Sequence, residues 1–137
     1  MATIRKEFIV RAAPAQVWDA LRDFGNVHRR LAAGFVTGSQ PEEDGAVRHI
    51  TFANGMSVRE RLVGIDERER RVAYTAQGGR ASHHNASAQV FDHGDGGTRF
   101  VWITDMLPDA MAPAIEQMME AGAKAMTACL EAAAQRA

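Results

Sequence analysis

Between Phe35 and Met106 the chain alternates apolar and polar residues with a period of two, and from Asp109 onward the period lengthens to that of a helix. The alternating part divides into Phe35 to Gln40, Val47 to Phe52, Ser57 to Ile65, Val72 to Gln77, Ser82 to Phe91 and Thr98 to Met106. Between these segments stand Asn54-Gly55, Asp66-Glu67-Arg68, Gly78-Gly79 and Asp95-Gly96-Gly97. Such pairs favour the positive backbone angles of tight hairpins, so consecutive strands are predicted to pair antiparallel as a meander. Ile4 to Arg11 reads as an earlier strand with Ile4, Phe8 and Val10 on one side. A helix then opens at Ala13-Pro14, carries a stripe of Val17, Leu21 and Phe24, and is predicted to end at Gly25. Val27 to Ala33 reads as a second short helix, and Gly34, Gly38, Pro41 and Gly45 as turn punctuation.

The helical period after Asp109 sets Met111, Ile115, Met118, Met119, Gly122, Met126, Cys129 and Leu130 on one side. Glu116, Gln117, Glu120, Lys124, Thr127 and Glu131 fall mainly on the other. This long amphipathic helix must bury its stripe, and two short helices cannot by themselves cover one face of seven strands. The expected fold is therefore α+β: a seven-stranded curved antiparallel sheet around a long C-terminal helix, with two short helices after strand 1. No break in composition divides the 137 residues, so one domain spans 1–137.

Strand parity sorts the two faces of the sheet. Ile50, Phe52, Val58 and Leu62 share a face with Val72, Tyr74 and Ala76, and with Ala86, Ala88, Val90, Phe100, Trp102 and Thr104 on later strands. His49, Thr51, Arg59, Arg61, Arg71, Thr75, Gln77, Gln89 and Arg99 take the other face, which water should see. Small side chains at Ala76, Ala86, Ala88 and Gly122 leave unfilled space on the inward side. The thioethers of Met118, Met119 and Met126 suit a variable apolar occupant of that space. A pocket for a small apolar molecule is expected there, walled by these residues together with Ile50, Phe52, Val58, Tyr74, Trp102 and Thr104.

Two ionisable residues share the inward parity. Glu60 lies between Val58 and Leu62, where a carboxylate needs a partner. It reads either as a structural ion pair, for instance with Arg48 on the neighbouring strand, or as a ligand contact or general base. His84 follows the Gly78-Gly79 turn at the expected pocket mouth, as a solvent-exposed loop-edge residue or as an acid–base group. Glu60, Tyr74 and His84 are thus the candidate catalytic residues, and Glu60 and His84 also count among the candidate ligand contacts.

Composition narrows the partners. The chain is 46% hydrophobic and 24% charged with a formal charge of -1, which gives no field for attracting nucleic acid. No apolar run reaches the roughly 20 residues of a membrane span, and Met1 to Glu7 is too polar for a signal peptide, so a cytoplasmic location is expected. Neither HExxH, CxxC, P-loop nor nucleotide-binding glycine patterns occur, so no metal or cofactor is expected. The single cysteine, Cys129, reads as a small core side chain. A monomer or homodimer is the expected assembly.

Ala13-Pro14-Ala15-Gln16-Val17-Trp18, Gly45-Ala46-Val47-Arg48, Glu60-Arg61-Leu62-Val63-Gly64-Ile65-Asp66, Arg71-Val72-Ala73-Tyr74 and Gly97-Thr98-Arg99-Phe100-Val101-Trp102 carry a family resemblance over nearly the whole chain. The sequence resembles the superfamily of START-related lipid-transfer domains, birch-pollen-type allergens and polyketide cyclases, known as SRPBCC. The resemblance implies a helix-grip fold, a single START-like ligand-binding domain, and a hydrophobic pocket between sheet and C-terminal helix. Members include carriers, receptors, cyclases and dehydratases, so the expected function is binding or carriage of a lipid, aromatic polyketide or similar metabolite. The alternative is a cofactor-independent cyclase or dehydratase using the same pocket.

Overall fold

The computed structural model describes residues 1–137. Strand β1 (Ala2–Val10) leads into helix α1 (Pro14–Arg22), a 3-10 turn at Phe24–Asn26 and a wide π-type turn at Val27–Leu31. Strands β2 (Val36–Glu42), β3 (Val47–Phe52), β4 (Ser57–Asp66), β5 (Arg71–Gln77), β6 (His83–His93) and β7 (Gly97–Leu107) follow, and helix α2 (Ala112–Arg136) ends the chain. The strands form one antiparallel seven-stranded sheet in the order β1-β7-β6-β5-β4-β3-β2, a meander whose last strand returns to pair with the first. It is the helix-grip arrangement.

Local chemistry explains most of the boundaries and a few departures. Gly55, at φ +88°, supplies the left-handed turn between β3 and β4, and the Asn54 side chain accepts a hydrogen bond from the Met56 amide at 3.0 Å. Helix α1 stops at Arg22 and not at Gly25, because Asp23 already leaves helical geometry (φ -82°, ψ 73°), and Gly25 falls inside the 3-10 turn. The second short helix is only the five-residue π-type turn, two residues shorter than its apolar pattern predicts. Strand β2 runs through Pro41, which the sequence reading treats as a turn. As the outermost strand β2 has a free side, so a residue without an N–H is tolerated.

A bulge between Leu62 and Gly64 bends β4 and turns Val63 out to solvent. The arginines at 59, 61 and 71 are exposed on the convex face, where Arg59 and Arg61 pair with Glu42 and Glu43.

The concave face is covered from two directions. Helix α1 is fastened to the β4–β5 turn by Trp18, whose indole donates to Glu67 at 2.8 Å beside the Arg22–Glu67 ion pair at 2.7 Å. Helix α2 lies across the sheet with Ile115, Met119, Gly122, Met126 and Leu130 buried, and Lys6 of β1 bridges Glu116 and Glu120 at 2.9 Å each. Cys129, expected in the core, is only half-buried at the flank of this helix, its thiol 3.8 Å from the Arg29 carbonyl. No helix is long and apolar enough to cross a membrane.

Gly122 of α2 lies against aromatic side chains. It does not face a row of alanines and empty space. A Cβ there would lie 3.0 Å from the Trp102 ring and 3.2 Å from the Phe35 ring, so the missing side chain lets two aromatic rings pack against the helix backbone. Gly122→Leu is therefore expected to overpack this contact and destabilise the fold by about 1–3 kcal/mol in denaturant titration, with a shift in Trp fluorescence. An unchanged midpoint would show that the helix stands further from the sheet.

Candidate functional site

A cavity of about 90 Å³ lies between the concave face, α2 and the turns after α1. That is several times the roughly 10–15 Å³ that one water needs. Of the 23 residues lining it 18 are hydrophobic, so its character is apolar. Ile50, Phe52, Val72, Ala88, Phe100 and Trp102 form the sheet side, and Ile115, Met118, Met119, Gly122 and Met126 the helix side. The third wall comes from Leu21, Phe24, Val27, Leu31 and Ala32 with Phe35 and Val36. Phe35 meets Phe52 edge-on at 5.3 Å between ring centroids.

Set into this apolar lining is a small polar group around one ion pair. Arg48 and Glu60 are directly opposite across β3 and β4, and both are buried. The guanidinium contacts a single carboxylate oxygen, Glu60 Oε1, from Nε at 2.8 Å and from Nη2 at 2.7 Å. Its Nη1 donates to the Phe24 carbonyl at 2.9 Å, and its plane lies 3.8 Å from the Phe24 ring and 5.2 Å from the Tyr74 ring. The buried cation thus has a countercharge, a carbonyl acceptor and aromatic faces. Beside it, Trp102 donates its indole N–H to the Tyr74 oxygen at 3.1 Å. Burial first, then the negative charge of Glu60, pushes the Tyr74 phenol well above its ordinary value, so it is a neutral hydrogen-bond donor. Burial lowers the His84 pKa, against a smaller opposing pull from Glu60, so its imidazole is neutral at physiological pH.

The chain matches the family described as polyketide cyclase / dehydrase and lipid transport over residues 1–137. It belongs to this family. No curated protein sequence matches it. Among solved structures it is similar to a protein of Bacillus thuringiensis (20% identity, TM-score 0.84, covering 94% of this chain and 98% of that one). It is also similar to XoxI of Bacillus cereus (22% identity, TM-score 0.83, covering 95% and 96%). A Thermobifida fusca protein solved by solution NMR shares 25% identity at a TM-score of 0.75, covering 93% and 91%. The match to the polyketide cyclase / dehydrase and lipid transport family supports a fold that binds hydrophobic ligands, and the solved structures show the same architecture.

Within this family fold, twelve of the fifteen residues that strand and helix parity offers as pocket contacts line the cavity: Ile50, Phe52, Glu60, Tyr74, His84, Ala88, Trp102, Thr104, Met118, Met119, Gly122 and Met126. Val58, Ala76 and Ala86 do not. Val58 and Ala76 are half-buried, Val58 at the start of β4 just after the β3–β4 turn and Ala76 at the end of β5. Ala86 is buried, but its methyl is paired between the larger Tyr74 and Thr104 side chains. Glu60 takes Arg48 as its partner, the ion-pair reading of its inward position. His84 is half-buried on the cavity wall and not at an exposed loop edge.

The wall built by the turns after α1 escaped the sequence reading. Its apolar stripe shows that Leu21 and Phe24 are buried but not what they face, and the Arg48–Phe24 hydrogen bond and the cavity lining place them at the pocket.

Glu60→Gln removes the countercharge of a buried guanidinium and is expected to cost about 3–5 kcal/mol in denaturant unfolding. A loss below about 1 kcal/mol would mean that water reaches Arg48 freely.

Proposed function

We propose that the protein binds and carries a small, mostly apolar molecule in this cavity. The observation that supports the reading is the apolar cavity itself, with aromatic and methionine walls from three directions and few polar groups set into them. Met118, Met119 and Met126 give the α2 side adaptable surfaces, which suits an occupant of variable shape such as an aromatic polyketide or an acyl chain.

A second reading, a cyclase or dehydratase, draws on the Glu60 carboxylate and the Tyr74 hydroxyl sharing the same cavity, with His84 as a further proton-transfer candidate. Carriage is preferred because Arg48 already engages the carboxylate, and no carboxylate or hydroxyl orients the His84 ring as a general base requires.

The neutral dye N-phenyl-1-naphthylamine is expected to bind saturably with one site per chain, and to be displaced by aromatic or acyl compounds. Ala88→Leu, which extends a side chain from the sheet into the cavity, should weaken the dye at least several-fold in a protein that still unfolds cooperatively. Absence of saturable binding by the wild-type chain would contradict the reading. Recovery of a bound polyketide as a cyclised or dehydrated product, instead of unaltered, would favour the enzyme.

A further inference from the structure

We propose that the cavity selects a neutral ligand bearing a hydroxyl group and rejects the ionised carboxylate of the same skeleton; this deepens the binding reading above and rests on it. The inference comes from which polar atoms of the cavity are already engaged and which remain open. Arg48 makes three contacts with the protein, two on Glu60 Oε1 and one on the Phe24 carbonyl, and its positive charge is countered by Glu60. The other carboxylate oxygen, Glu60 Oε2, receives no hydrogen bond from the protein, although the residue is buried and lines the cavity. Tyr74 accepts from Trp102 and has no protein acceptor for its own proton. The cavity therefore offers one open acceptor on a carboxylate and one open donor on a phenol, and its only buried cation is neutralised at 2.7 Å.

Glu60 and Tyr74 occupy diagonal positions on the same face of β4 and β5, since Glu60 pairs with Ala76 and Leu62 with Tyr74. A ligand hydroxyl can donate to Glu60 Oε2 and accept from Tyr74, which satisfies both groups. A carboxylate has no proton to donate. It would bring a second negative charge towards Glu60 into an apolar cavity whose one buried cation already has a countercharge, an arrangement that desolvation makes unfavourable. Thr104 adds only a neutral hydroxyl to the lining, and His84, kept uncharged by its burial, does not supply the missing positive charge.

Three probes of one skeleton test this in the intact protein near neutral pH: naphthalene, 2-naphthol and 2-naphthoate, each displacing N-phenyl-1-naphthylamine. The expected order is 2-naphthol tightest, with 2-naphthoate weaker than 2-naphthol by at least about tenfold. Equal or tighter binding of 2-naphthoate would overturn the proposal. So would 2-naphthol binding no better than naphthalene, a result that leaves the apolar cavity itself intact as a binding site. If neither the dye nor any probe binds, the binding reading falls and the selectivity falls with it. In folded Glu60→Gln the freed Arg48 charge should shift the naphthol-to-naphthoate ratio towards naphthoate by about tenfold, and an unchanged ratio would count against the assigned role of Glu60. Should that variant not fold, the wild-type comparison decides.

Discussion

The buried contact between Arg48 and Glu60 is the constraint on which the rest of the site depends. Two opposite charges on adjacent strands cannot leave water unless each finds the other, and once paired they fix the register of β3 against β4 at that point. The third bond of the guanidinium, to the Phe24 carbonyl, brings the turn after α1 down onto the sheet. The wall contributed by Leu21, Phe24, Val27 and Leu31 is thereby held over the concave face. Other ties hold the same segment to α1, to α2 and to the turn after β3, through Arg30–Asp19, Cys129–Arg29 and the Ala53 amide on the Phe35 carbonyl.

Two further contacts shape the space so enclosed. Gly122 lets α2 approach until Trp102 and Phe35 touch its backbone, and Trp102 in turn orients the Tyr74 hydroxyl. The Lys6 bridge to Glu116 and Glu120 secures the same helix from β1. Ile115, Met118, Met119 and Met126 of the helix line the cavity that lies between it and the sheet. Membership of the polyketide cyclase / dehydrase and lipid transport family agrees with such a space, while the chemistry of its polar end belongs to this chain's own residues.

Much of this is legible in the sequence because the period of two is a strong signal. Alternation placed Ile50, Tyr74, Ala88, Phe100 and Trp102 on one face, and the glycine turns between strands led to the meander. The same parity put Glu60 inward and its strand neighbour made Arg48 the natural partner. What parity cannot convey is height above the sheet, so Ala86 and Ala76 were indistinguishable from Ala88. A helical stripe reports that a segment is buried but not against what, which hid the role of Leu21 through Ala32 as a cavity wall. Gly122 reads as space because a missing side chain looks the same in sequence whether a cavity or an indole fills the place. Strand β2 runs on through Pro41 because its outer side is unpaired, a fact of topology that no local pattern carries.

The most direct test of the account is a double-mutant cycle on the ion pair, with Arg48→Met, Glu60→Leu and the combined variant compared by denaturant unfolding. If the pair is buried and mutually dependent, each single change strands a charge and is costly. The double variant should then be more stable than the sum of the two losses implies, by about 2–3 kcal/mol. Additive losses, within about 0.5 kcal/mol, would contradict the account, because they would mean that the two charges are solvated separately and do not anchor the cavity.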